Sequence, residues 1–172
     1  MFGNATFANS PLGLRPATTS DAPFLELLYR STRPELELLD TTPEQVQALA
    51  AQQHQVLQAG AGDAFPNAMH FVVERAAERV GALIVDFGAD EVRLIYLALL
   101  PVVHGQGYGR QLVQGLQQAV ARAQAPLAVT VWRSNPRARA MYLTLGFVVE
   151  ESQPTAERLV WYPSARPMIA VP

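Results

Sequence analysis

The stretch Leu97 to Arg110 reads Leu-Ala-Leu-Leu-Pro-Val-Val-His-Gly-Gln-Gly-Tyr-Gly-Arg. An apolar run closes at Pro101, glycines stand at Gly105, Gly107 and Gly109, and a helical pattern begins at once. The order is strand, loop, helix start. Glycines at such a junction let the backbone adopt positive φ and approach a ligand closely, while the first-turn N–H groups of the helix have no intrahelical partner. Strand, loop and helix start together read as a cradle for an anion, phosphate above all.

Spacing separates the phosphate-binding loops that share this outline. A nucleoside-triphosphate loop needs Lys followed by Ser or Thr after its last glycine, and Arg110 and Gln111 stand there instead. A dinucleotide loop needs a small residue three positions after its second glycine, where Arg110 stands, and an acidic ribose partner about twenty residues on, where the chain is Ala-rich. What remains is the pattern Arg/Gln-x-x-Gly-x-Gly/Ala, with His104 in the first slot.

Outward from this stretch the chain alternates helices and strands. Upstream, Leu12 to Ala17 reads as a strand, and Thr19 or Ser20 caps a helix from Ala22 to Arg30 with Phe24, Leu25, Leu27 and Leu28 apolar. Pro34 breaks the next segment, Ser31 to Asp40. Thr42-Pro43-Glu44 opens a second helix to about Ala59, with Val46, Leu49 and Leu57 inward and the glutamines and His54 toward water. Met69 to Glu74, Val80 to Phe87 and Val92 to Leu99 are strands joined by short polar links, which favour antiparallel hairpins.

Downstream, Leu112, Val113, Leu116, Val120 and Ala123 recur at steps of three and four residues, so Gly107 to Ala123 is a helix with one buried face. Leu127 to Trp132 is a strand, and the order strand, helix, strand suggests a crossover between parallel neighbours. Asn135-Pro136 caps a last helix with Ala138, Met141, Tyr142 and Leu145 as its stripe, and Gly146 stands where a C-terminal glycine belongs. Phe147 to Glu150 and Arg158 to Tyr162 close the chain as strands. Residues 1–11 and 163–172 are expected to be loosely ordered.

Composition removes several classes of function. The 172 residues are 49% hydrophobic with a formal charge of −2, enough apolar material for one domain core and too little cationic clustering for nucleic acid or an anionic membrane. There is no cysteine, hence no disulfide framework, thiolate nucleophile or Cys-containing metal site. His54, His70 and His104 fit no metal-ligand spacing, so no metal is expected. Met1 to Ser10 lacks the basic head and apolar core of a signal peptide, and the expected location is the cytoplasm.

A second motif lies in Asn135-x-x-Ala138-x-x-Met141-Tyr142-x-x-x-Gly146-Phe147. The two motifs, in this order and spacing, resemble the GNAT N-acetyltransferase family from roughly Leu12 to Tyr162. The resemblance implies one α/β (α+β) domain over residues 1–172, with its core in about 12–162. It implies a single mixed, mostly antiparallel central sheet of six to seven strands flanked by four helices, the acyl-CoA N-acyltransferase fold. It also implies that the strand before the loop splays from the strand after the helix and that acetyl-CoA lies in the gap.

By that resemblance Leu97, Ala98 and Leu99 would hydrogen-bond the pantetheine arm like an added strand. The backbone of His104, Gly105, Gln106, Gly107, Tyr108, Gly109 and Arg110 would hold the pyrophosphate, and Asn135 would touch the cofactor besides capping its helix. Tyr142 matches the tyrosine that protonates the departing CoA thiolate, a step for which a phenol with a pKa of about 10 is suited. Read only as sequence, Tyr142 is also a core residue of its stripe, and the glycines a tight loop. Some protein-lysine-modifying relatives carry a glutamate base where Arg93 stands. A water relay to Glu91 or Tyr96 is one substitute; Arg93 reads either as a cation that attracts an acceptor carrying a carboxylate or phosphate or as a solvated strand residue, and Arg93, Tyr96 and Trp132 are the candidate substrate-binding residues.

The expected activity is acetyl transfer to a primary amine by direct attack in a ternary complex, on a small amine or amino-acid-like metabolite. The alternatives are a non-catalytic acyl-CoA-binding or sensing module, and an N-acyltransferase using a larger acyl-CoA or a protein amine. The expected partner is a small-molecule amine acceptor, with a homodimer left open and neither nucleic acid nor membrane expected.

Overall fold

The computed structural model describes residues 5–7 and 10–164. The strands are β1 (Ala5–Thr6), β2 (Leu12–Pro16), β3 (Ala68–Arg75), β4 (Glu78–Phe87), β5 (Val92–Leu99), β6 (Leu127–Trp132), β7 (Val148–Ser152) and β8 (Ala156–Trp161). The helices are α1 (Ala22–Ser31), α2 (Pro43–Ala64), α3 (Tyr108–Arg122) and α4 (Pro136–Thr144). The strands form one sheet in the order β1-β2-β3-β4-β5-β6-β8-β7, and only the β5–β6 pair is parallel. The mixed, mostly antiparallel sheet with four helices is as expected. The eighth strand, β1, is a correction: Ala5 and Thr6 pair with Leu14 and Gly13, inside a stretch expected to be loosely ordered. Most of that expectation for the two ends falls outside the described residues.

Side-chain alternation decides which helix covers which face. On one face Leu83 and Val85 of β4, Leu94 of β5 and Leu127, Val129 and Val131 of β6 pack under Leu112, Val113, Leu116 and Val120 of α3. Leu112 and Val113 are 0% exposed, and full burial of such a side chain contributes about 1.5 to 3 kcal/mol. On the other face Phe24 and Leu28 of α1 cover Val72, Ala82 and Ala98. A third, smaller cluster of Leu36, Val46 and Ala50 ties α2 to the single helical turn Pro34–Leu38, which occupies the segment expected to be irregular.

Two other local expectations change. The start of α1 is set not by Thr19 or Ser20 but by a turn at Thr19–Asp21, where Asp21 accepts the Thr18 N–H at 2.8 Å. Asp21 is 1% exposed and also takes two hydrogen bonds from Arg15, each 2.8 Å, which hold its carboxyl far below the usual carboxylate range. His54, expected to face water, is 6% exposed. Its ring lies 5.3 Å from that of Tyr29 because α2 packs on α1, and burial lowers its pKa. No helix among the described residues is long and apolar enough to cross a membrane.

Candidate active site

The parallel pairing of β5 and β6 is short. It runs only from Val92–Leu127 to Leu94–Val129, after which the strands part. A β-bulge coincides with the divergence: Ile84 faces Tyr96 and Val85 faces Leu94, so Ile95 has no partner on β4. The bulge shifts the alternation by one. Arg93 and Tyr96, three residues apart, therefore both lie on the α1 face, opposite Asp86 and Ile84.

Beyond the bulge, β5 presents an open backbone edge. Leu100 N–H donates to Val80 carbonyl at 2.8 Å, so the polar groups of residues 96, 98 and 100 point to β4. Those of Leu97 and Leu99 point the other way, into the gap left by β6. Of the three residues expected to line an added strand, Leu97 and the N–H of Leu99 present their backbone to it, the Leu99 carbonyl already accepts from His104, and Ala98 is turned to β4 and buried at 4% exposure.

The glycine loop stands at the end of this edge. Gly105 and Gly107 have φ of +76° and +77°, and a Cβ built on either meets nothing within 4 Å. Only glycine takes this left-handed backbone at no steric cost, and the space beside it is open. Gly107 is also the N-cap of α3, where no side chain caps the helix. The first-turn amides thus have no side-chain cap among the described residues, and such a helix start suits an anionic group.

The side chains of the loop are disposed differently from their backbone. His104 Nε2 donates to the Leu99 carbonyl at 2.7 Å, so the imidazole braces the end of β5 and does not reach outward. Tyr108, expected to bind cofactor, is buried at 9% exposure, and only its amide faces the cradle. Arg75, at the end of β3, was not singled out by sequence. Its Nη1 lies 3.3 Å from Tyr108 Oη and 3.4 Å from Gln106 Oε1. Arg110 Nη1 donates to Thr144 Oγ1 of α4 at 2.9 Å.

The last helix brings Tyr142 to the same place. Asn135 Oδ1 caps α4 by accepting the Ala138 N–H at 3.1 Å. At the other end Gly146, with φ of +91°, closes the helix with two bonds, Phe147 N–H to Tyr142 carbonyl and Gly146 N–H to Leu143 carbonyl, each 3.1 Å. This closure folds Phe147 back onto Tyr142, ring edge to face with centroids 5.2 Å apart. Tyr142 is 5% exposed, and burial pushes its phenol up to about 12. Its hydroxyl has no hydrogen-bond partner among the described residues, yet it is not one of their sealed polar atoms. A ring held by the core thus ends in an accessible, protonated tip. A Cβ on Gly109 would meet Leu99 Cδ1 and Met141 Sδ, each at 3.9 Å, so the ends of β5, α3 and α4 converge beside Tyr142.

On the α1 face a cavity of about 230 Å³ opens where β5 and β6 part, walled by Phe65, Arg93, Ile95, Thr130 and Arg158. Arg93 is not a free cation: it donates to Glu91 at 2.8 Å and Asp86 at 2.9 Å and lies over the Phe65 ring. Arg158 holds Glu91 through two further bonds and depresses its pKa, which makes Glu91 a weak base. Tyr96 Oη is sealed without a partner of hydrogen-bonding geometry, and burial raises its pKa. Trp132 is 62% exposed at the end of β6 and does not line the cavity. Among the described residues no group of three or more His, Asp or Glu is placed to hold a metal ion.

Residues 66–149 match the family model described as an acetyltransferase (GNAT) domain. An acetyltransferase from Thermus thermophilus superposes with a TM-score of 0.65 and 25% identity over 88% of this chain and 96% of its own. Spermidine N-acetyltransferase from Vibrio cholerae, solved with CoA and spermine, gives 0.65 at 18% identity over 90% and 97%. The ribosomal-protein-S18-alanine N-acetyltransferase from Escherichia coli gives 0.64 at 18% identity over 93% and 99%. No curated protein matches the sequence.

Proposed function

With residues 66–149 forming a GNAT acetyltransferase domain, we propose that the chain moves an acetyl group from acetyl-CoA to a primary amine on a small molecule or amino-acid-like metabolite. The observation that carries this is the parting of β5 from β6 after Leu94 and Val129, directly beside an uncapped helix start. An extended arm fits the open edge of Leu97 and Leu99 as a strand would, and its phosphates fit the amides from Gly105 to Arg110. Acetyl-CoA brings an activated thioester. The chain's own contribution is to hold and orient it and to keep water out.

No cysteine exists to carry the acetyl group, so the amine attacks the thioester directly. Tyr142 supplies the proton for the departing sulfur. A phenol raised by burial is fully protonated at neutral pH, and a thiolate formed in the same apolar surroundings is likewise a stronger base than in water. Asn135 orders the first turn of α4 and leaves its amide nitrogen for the coenzyme.

The acceptor enters from the α1 face, where the cavity is large enough for a small amine head group. Arg93 shapes this cavity through its ion pairs, and Tyr96 and Trp132, which do not line it, are assigned to the acceptor side by the resemblance alone. The two superposed enzymes with named acceptors are described as acting on spermidine and on an alanine of ribosomal protein S18, so the fold accommodates both a small polyamine and a protein. The small cavity favours the former size. The proposed compartment is the cytoplasm, where acetyl-CoA is available.

A screen of amines against acetyl-CoA, read as release of free CoA thiol, tests the assignment. Acceptor-dependent release is expected with at least one small primary amine. CoA binding without release across polyamines, amino acids, aminoglycosides and peptide N-termini would favour a sensing module.

A further inference from the structure

The loop that faces the phosphates carries little charge of its own. His104 stands where the family signature has Arg or Gln, and its ring is turned back to the Leu99 carbonyl. The chain has no lysine, and its thirteen basic residues are all arginines, twelve of them among the described residues. Eight of those twelve have a carboxylate oxygen within 4.0 Å. The four with no such oxygen among the described residues are Arg75, Arg110, Arg122 and Arg137.

Three of the four stand at one end of the sheet. Val73 and Leu99 both face Gly81, so the C-terminal ends of β3 and β5 are level, and Arg75 closes β3. Arg110 lies in the first turn of α3 as it leaves β5. Arg137 lies in the first turn of α4 as it leaves β6, the parallel neighbour whose end shares that side. Arg122 lies at the opposite end of α3.

The placement of Arg110 and Arg137 runs against local electrostatics. The N-terminal turn of a helix favours acidic side chains, because its unpaired N–H groups carry partial positive charge. The first turn of α2 obeys this with Glu44, but those of α3 and α4 contain an arginine and no acid. Local rules are broken in this way where a ligand compensates. Arg75 adds a guanidinium over the Tyr108 ring, 5.9 Å from its centroid, held only by neutral oxygens of Tyr108 and Gln106. Glu78, the cross-strand neighbour of Arg75 on β4, is the acid that acts on it, and no ion pair within 4.0 Å ties the two among the described residues.

We propose that Arg75 and Arg137 bind the phosphates of the acyl donor's nucleotide end, flanking the loop amides, and that they make the protein select a coenzyme thioester over a bare pantetheine thioester. The assignment rests on the acyl-donor reading above. It gives the missing loop cation a source in two elements outside the glycine motif, and its ligand class is a polyphosphate monoester.

Calorimetric titration of CoA and of pantetheine into the unaltered protein, Arg75→Ala, Arg137→Glu and the control Arg122→Ala tests it. The first two variants should lose about 10-fold or more in CoA affinity, the usual scale for a charge-assisted phosphate contact, with pantetheine affinity unchanged and Arg122→Ala unaffected. Their CoA affinity should also fall less steeply between about 50 and about 300 mM salt. Arg137→Glu has a second readout: without ligand its thermal midpoint should rise by about 1 to 3 °C, since the substitution repairs the helix start. CoA affinity equal to that of the unaltered protein in both variants would overturn the assignment. So would an equal loss for pantetheine, or an Arg137→Glu protein that melts earlier while binding CoA normally. Failure of the unaltered protein to bind CoA would instead sink the acyl-donor reading itself, and the arginine assignment with it.

Discussion

Replacing Tyr142 with phenylalanine removes one oxygen and little else. The ring stays buried, keeps its edge contact with Phe147, and still takes its place in the closure of α4, because those interactions belong to the ring and the backbone. The hydroxyl has no partner among the described residues, so its loss should change stability at neutral pH by less than about 1 kcal/mol. Catalysis should respond very differently. A general acid contributes about 10² to 10⁴ in rate, or about 3 to 5 kcal/mol, and kcat should fall by that amount with CoA affinity unchanged.

The same hydroxyl has an alkaline signature. A phenol held at about 12 in the fold and near 10 in the unfolded chain ionises first on unfolding, so the native protein loses stability as pH rises from about 10 to about 12. At about pH 11 the loss is about 1.4 kcal/mol, and Tyr142→Phe is free of it. The variant should match the parent in urea melts at about pH 8 and exceed it by roughly that amount at about pH 11. Single-turnover release of CoA thiol is the decisive assay. An unchanged rate on a good acceptor, with chemistry limiting, would show that Tyr142 is packing and not acid.

Other expectations follow from single contacts. His104→Ala should weaken CoA binding a few-fold by calorimetry, because the ring braces the end of β5 through the Leu99 carbonyl; unchanged affinity would show that the brace is dispensable. Gly107→Val forces a β-branched side chain into left-handed backbone, costing about 1 to 2 kcal/mol in thermal denaturation and filling the open space beside the loop amides, so CoA binding by calorimetry should fall much further than stability. Arg15→Ala leaves the buried Asp21 carboxylate with the longer Arg79 contact as its ion pair besides the Thr18 hydrogen bonds, and chemical denaturation should show a loss on the order of 3 kcal/mol. The Asp21 pKa is depressed in the fold, so the stability it contributes is present above about pH 4 and is lost as pH falls below that value. Acid melts of the parent and Asp21→Asn should therefore converge at low pH.

Periodicity and punctuation determined most of this protein. The alternating runs of β3, β4 and β5, the three- and four-residue recurrence of α3, and the cap, proline and glycine around α4 are all local signals, because strands and helices are specified by nearest-neighbour geometry. The glycine spacing likewise placed the cradle, and the Schellman closure at Gly146 placed the turn that seats Tyr142. What the sequence could not show is what depends on partners distant along the chain. The bulge at Ile95 puts Arg93 and Tyr96 on one face, against simple alternation, and becomes visible only when β4 pairs with β5. His54 looked solvated because its neighbours are glutamines, and α1 buried it. Arg93 was a candidate substrate-binding residue by sequence, and only the sheet shows that Asp86 of β4 holds it in an ion pair. His104 held the slot of a phosphate ligand, but the end of β5 took its proton donor, and the arginines that stand around the loop come from β3, α3 and α4. Local rules decide which residues form each element, whereas charge pairing and burial are settled between elements, so the motif was legible in the chain and its electrostatics only in the fold.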